Sequence, residues 1–215
     1  MSSADVLTIF SGAWTTLLLS IAGIALGLPL GLGLALLRWG RVPLLNQAVA
    51  VYVSLLRATP LVTLVLLLFF ALPSAGISMG PMTAGLLALT LNTAAFNCEV
   101  WRAALLDLPK DQIEAAQSVG MGRVLRLRRI VLPQIARTAM PGLINEMSLL
   151  IKLTPVLAVV GVVDITRAAV RVGAQTYEPM QPLMVALAIY VPIIFALVSA
   201  QRWVERRMAR REAAA

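Results

Sequence analysis

The sequence predicts an all-α membrane protein, a bundle of about five transmembrane helices read from apolar runs of roughly 20 residues. Three observations carry that expectation. Of 215 residues, 60% are hydrophobic and only 13% charged, with a mean hydropathy of +0.88, whereas soluble domains run near half apolar and a quarter charged. The apolar residues fall in long runs closed by prolines, glycines and arginines. The basic residues stand between those runs and in the C-terminal tail. A net charge of +8 could point to nucleic acid, but aromatics are few and the placement is that of a topology signal. Membrane lipid is therefore an expected partner and nucleic acid is not.

The first span is "GAWTTLLLSIAGIALGLPLGLGLALL", Gly12 to Leu37, stopped by Arg38 and Arg41. The segment before it contains Asp5 and lacks the basic start of a signal peptide, so this span is expected to be retained. Gly23, Gly27, Gly31 and Gly33 recur near helical spacing and invite a close helix partner. The second run, Pro60 to Pro73, is only about 20 Å long at 1.5 Å per residue. It must be extended from about Val49, with "RATP" as a kink or break inside the span. The third span runs from about Met82 to Ala104 and the fourth from about Ile135 to Ile151. "VLAVVGVV" after Pro155 is too short to cross and reads as a re-entrant or interface segment. The fifth span is Pro182 to Ala200.

Five spans put the termini on opposite sides. Arg38, Arg41, Arg102, Lys110, Arg123, Arg126, Arg128, Arg129, Arg137 and the basic C-terminal tail then share one side. The other side carries only Arg167 and Arg171. The positive-inside rule places the N-terminus outside and the C-terminus in the cytoplasm.

The cytoplasmic segment "EAAQSVGMGRVLRLRRIVLP", Glu114 to Pro133, is polar and basic between two greasy spans. Asp111 followed by Glu114 gives a capping-box pattern at a helix start, Gly120 suits a helix stop, and a second short helix runs to Pro133. Ala115 and Ala116 are small enough to let a partner surface approach. By pattern alone, the loop either lies on anionic headgroups or docks on a protein.

Within or near the spans lie Asn92, Asn97, Glu99, Asn145, Glu146 and Lys152, and buried polar groups there face a cavity or a partner helix. Asn92 and Asn97 stand about 140° apart around a helix, whereas Asn92 and Glu99 share a face. Asn92 is thus the better ligand candidate, or else a helix–helix hydrogen bond. Glu99 either guards the cytoplasmic exit or pairs locally with Arg102. Lys152 has no acidic neighbour in sequence and is expected to pair across the bundle, with Glu146 or with another subunit. Arg57, beside the Thr59–Pro60 break, either lines the path or snorkels to the surface. The substrate-path candidates are Arg57, Thr59, Asn92, Glu99 and Lys152.

No histidine is present, and the one cysteine, Cys98, lies in an apolar run. No metal site, bound cofactor or intramembrane hydrolase is expected from this set. There is no G-x-x-x-x-G-K-[ST] loop, so the chain does not itself hydrolyse ATP. A transport subunit and a stand-alone channel or secondary transporter remain as readings. The absence of visible internal repeats disfavours the second.

The string E-A-A, three residues, G, nine residues, I-x-L-P resembles the cytoplasmic loop motif of the permease subunits of bacterial ABC importers. Here it is Glu114, Ala115, Ala116, Gly120, Ile130, Leu132 and Pro133. "RATPLVTLVLLLFFALP" and "LNTAAFNCEVWRAALLDLPKDQIEAA" are similar to stretches of the histidine/glutamine/arginine permease group, polar amino-acid permeases. Ala58 departs from that pattern, as do Thr63, Leu153 and Pro155, where the group usually has Gly, Gln, Asp and Ser. The resemblance implies the type I importer permease fold, with residues 1–215 as one domain and residues 109–133 as its coupling loop. It implies that Glu114, Ala115, Ala116, Gly120, Met121, Leu132 and Pro133 meet an ATPase. It also implies two ATPase subunits carrying ATP and Mg, a second permease subunit (identical or paralogous), an extracytoplasmic binding protein and the bacterial inner membrane.

Overall fold

The computed structural model describes residues 2–40 and 43–212, which form helices and turns with no strand among them. Arg41 and the side chains of Arg207, Arg210 and Arg211, which entered the charge tally, lie outside the described residues.

Helix α1 (Ser3–Trp39) opens with a reciprocal cap. The Ser2 N–H donates to the Asp5 carboxylate at 2.6 Å and the Asp5 N–H to the Ser2 hydroxyl at 3.3 Å. The hydrogen bond from the Ser2 backbone holds the Asp5 carboxyl below its ordinary value. Helix α4 (Pro81–Leu106) packs along α1. At Gly27 an added Cβ would lie 2.7 Å from Thr93, and at Gly31 2.9 Å from the Asn97 Cβ, so the glycine stripe sets the approach. Gly33 meets nothing within 4 Å and is no part of it, since it falls off the every-fourth-residue row.

Helices α2 (Pro43–Ala58) and α3 (Leu61–Ala75) are one broken run, bent by 107°. The break is built into "TP": Pro60 has no N–H and disfavours helix at the residue before it. The last helical bond before the break is kept: the Leu55 carbonyl accepts from the Thr59 N–H at 3.0 Å and also from the Thr59 hydroxyl at 2.8 Å.

Helix α5 (Lys110–Ser118) ends in a turn at Gly120, φ 76°. The expected capping box is absent: the cap position is Pro109, which has no side-chain oxygen, and Glu114 stands in the second turn. Helix α6 (Arg123–Val160) then runs 38 residues without stopping at Pro133. A π turn over Leu127–Val131 widens the helix before that proline. The wider turn accommodates the ring and its missing donor, so the expected second short helix is the first part of the fourth span's helix.

The end of α6, Thr154–Val160, tightens into a 3-10 turn closed by Gly161 at φ 103°. Leu157, Val160 and Val162 are buried with Leu19, Leu61, Val65 and Leu89, so this segment is core rather than lipid interface. Helix α7 (Ile165–Thr176) is capped by the buried Asp164, which accepts from the Arg167 N–H at 2.9 Å. Helix α8 (Met180–Glu212) closes the bundle.

All five expected spans have a helix. By length and apolarity alone, α1 and α6 are able to cross a membrane, and the bent pair makes a third. Helix α4 is less apolar because its polar residues point into the protein: Thr90, Thr93 and Asn97 are buried.

Candidate functional site

Two regions collect the singled-out residues. The first is the turn around Gly120. Helix α5 is tethered by Ile113, which packs on the cluster containing Trp101, Leu105 and Leu108. Glu114 lines a cavity of 540 Å³ between this helix and the span ends, together with Arg38, Arg102, Lys110 and Gln117. Ala115 is exposed, but Ala116 is only 5% exposed, so of the two alanines only Ala115 is free to meet a partner. Past Gly120, Met121 and Leu132 are half-buried and Pro133 is exposed. Val119, Val124 and Leu125 stand 77%, 70% and 50% exposed around the turn and on the first turn of α6. Apolar side chains displayed together in this way mark a surface that meets a protein or a membrane.

The second region lies at the helix break. One opening of 360 Å³ is lined by Arg57, Thr59, Pro60, Asn92, Phe96 and Leu153, among others. A second of 160 Å³ shares Asn92, Phe96 and Leu153 and adds Glu146 and Lys152. Arg57 does not snorkel away: its guanidinium sits over the Phe96 ring, 5.4 Å from the centroid. Four of the five path candidates line these adjoining openings: Arg57, Thr59 and Asn92 the first, Asn92 and Lys152 the second.

Glu99 does not join them. It lies about 10 Å along α4 from Asn92 and is held by two arginines, accepting from Arg102 Nε at 2.9 Å and from the Arg38 guanidinium. The local pair with Arg102 was legible. Arg38 was not, because it is 61 residues away and arrives only through α1–α4 packing. Glu99 is thus a clasp between two helices, not part of the cavity.

Among the described residues Lys152 makes no ion pair with Glu146, one of the two partners expected for it, although both line the same opening. Among the described residues neither Asn92 nor Asn145 makes an interhelical hydrogen bond; Asn145 is exposed and Asn92 faces the cavity. Asn97 faces α1 instead, fully buried. Phe96 and Glu146 were missed as site residues. Phe96 stands four residues from Asn92 on one helix face, a spacing that marks it as a neighbour.

The family model of the "binding-protein-dependent transport system inner membrane component" matches residues 27–210. The chain belongs to this family. The permease is a membrane-integral transport subunit. It is 34% identical to the octopine transport system permease of Rhizobium meliloti, over 95% of this chain and 90% of the relative. The L-cystine transport system permease of Bacillus subtilis is also 34% identical, over 93% of the permease and 86% of its own length. The putative glutamine transport system permease of Rickettsia typhi is 30% identical, over 94% of each. In three dimensions the permease superposes on the crystal structure of an amino acid ABC transporter with histidines, with a TM-score of 0.85 at 30% identity, covering 93% of this chain and 94% of that one. The methionine ABC transporter in an inward-facing form gives 0.75 at 23% identity over 97% and 99% of the two chains, a likeness of fold alone.

Proposed function

We propose that the permease carries a polar amino acid or related small solute through the cavity at the Thr59–Pro60 break. The observation that carries this reading is the placing of Arg57 and Asn92 at the break, with Glu146 and Lys152 in an adjoining opening that shares Asn92, Phe96 and Leu153. A zwitterion leaving water needs partners for each polar group, and these side chains supply both signs of charge and an amide. Backbone freed by a broken helix is tolerated where it faces such a cavity. Relatives named for octopine, L-cystine and glutamine support the solute class.

The permease acts as one of two permease subunits, identical or paralogous, in the bacterial inner membrane. Its N-terminus is outside and its C-terminus cytoplasmic. An extracytoplasmic binding protein delivers the solute. Two ATPase subunits hold ATP and Mg and dock on the loop at residues 109–133, where Glu114, Ala115, Gly120, Met121, Leu132 and Pro133 transmit their motion. The exposed Val119, Val124 and Leu125 support that docking.

The test is solute uptake by the assembled importer. Asn92→Ala or Lys152→Met lowers uptake by about tenfold or more, the loss expected for one hydrogen bond to a charged group. The mutant complexes still assemble, as checked by co-elution with the ATPase. Unchanged uptake kinetics in both variants would move the solute site to the other permease subunit.

A further inference from the structure

The charges around the cavity do not balance, and the imbalance has a sign. The two openings hold two cations, Arg57 and Lys152, against one carboxylate, Glu146. The rest of the lining is neutral, with Asn92 the main polar group and Phe96 and Leu153 shared by both openings. Among the described residues, none of the three charges is quenched by a salt bridge, since both recorded bridges belong to Glu99. Arg57 lies within electrostatic reach of Glu146. Its face is engaged by the Phe96 ring, which leaves the guanidinium edge, with its forked N–H donors, open to a carboxylate. Lys152 is exposed and takes no partner in the described fold.

A surplus positive charge at membrane depth is unfavourable unless an anion completes it. A zwitterion with one carboxylate satisfies Glu146 and one cation and leaves the other uncompensated. A cationic solute adds like charge to a cavity that already has a surplus. A solute with one ammonium and two carboxylates fits all three charges. Its ammonium meets Glu146, one carboxylate the Arg57 fork, and the other the compact Lys152 ammonium. Leu153, beside Lys152 in both openings, offers no competing carboxylate.

We propose that this cavity selects acidic amino acids and related solutes bearing two carboxylates and one ammonium. The proposal rests on the substrate-path reading above and narrows it.

The experiment is equilibrium binding of radiolabelled L-glutamate, L-glutamine and L-lysine to the complete permease–ATPase complex in lipid nanodiscs. The binding protein is left out, so that its own selectivity does not enter. L-Glutamate binds at least about tenfold more tightly than L-glutamine, and L-lysine does not compete. Lys152→Met brings L-glutamate and L-glutamine to within about twofold of each other. Lys152→Glu reverses the preference, so that L-lysine binds and L-glutamate does not. Co-elution with the ATPase confirms that each variant is folded. If L-glutamine or L-lysine binds more tightly than L-glutamate to the unmodified complex, and Asn92→Ala removes that binding, the cavity is the solute site and the acidic class is wrong. If none of the three binds, or Asn92→Ala leaves L-glutamate binding unchanged, the substrate-path reading itself fails, and the acidic class with it.

Discussion

At Gly31 an added Cβ would lie 2.9 Å from the Cβ of Asn97 and 3.0 Å from the Ala94 carbonyl oxygen, both on a neighbouring helix that has nowhere to retreat. At Gly33, two residues on, it would meet nothing. Gly31→Leu should therefore destabilise the bundle by about 1–3 kcal/mol, the range for overpacking a close helix contact, while Gly33→Leu should leave it nearly unchanged. Thermal unfolding in detergent separates the two, and equal melting of both variants would contradict the assigned α1–α4 contact. The same contact explains which polar residues face the cavity. Asn97 is spent against α1, whereas Asn92, about 140° away around α4, faces the cavity. That distinction followed from helical spacing and was legible. The Arg38–Glu99 clasp was not, because no local pattern joins residues 61 apart.

Among the elements, the loop from α5 into α6 shows how prolines and glycines carry unequal information. Gly120 was readable as a helix stop because its left-handed backbone, φ 76°, is a local requirement. Pro133 was misleading as a boundary, because the π turn at Leu127–Val131 absorbs it and lets α6 continue into the membrane. Pro60 does break its helix, through 107°. The loop consequently hinges at one point and is continuous with a span beyond it, a geometry suited to passing motion along α6. Gly120→Leu places a side chain in a left-handed conformation at a cost of about 1–2 kcal/mol and reshapes that hinge. Its expected effect is loss of solute-stimulated ATP hydrolysis in the reconstituted importer, with the membrane bundle melting as before. Normal coupling in this variant would remove the turn from the transmission path.

For the molecule as a whole, the helix count came from apolar runs and the orientation from the distribution of arginine and lysine, both properties that survive errors in any single boundary. What hydropathy understated was α4, whose threonines and asparagines lower its apolarity because they are turned inward. In a background lacking Cys98, cysteines at Ser78 and Gln175 should be labelled by an impermeant reagent from outside and one at Gly122 only from inside. Labelling of Ser78 and Gly122 from the same side would contradict the bundle's orientation. The central claim, that the chain is an importer permease driven through its cytoplasmic loop, has a more direct test at Val119, 77% exposed beside the hinge. Val119→Cys, in the same Cys98-free background, is treated with a short bifunctional thiol–amine crosslinker in membranes containing the assembled importer. The account predicts one crosslinked product joining the permease to the ATPase subunit, with its yield changed by ATP. Intact complexes in which Val119→Cys forms no link to the ATPase, with or without nucleotide, would contradict it.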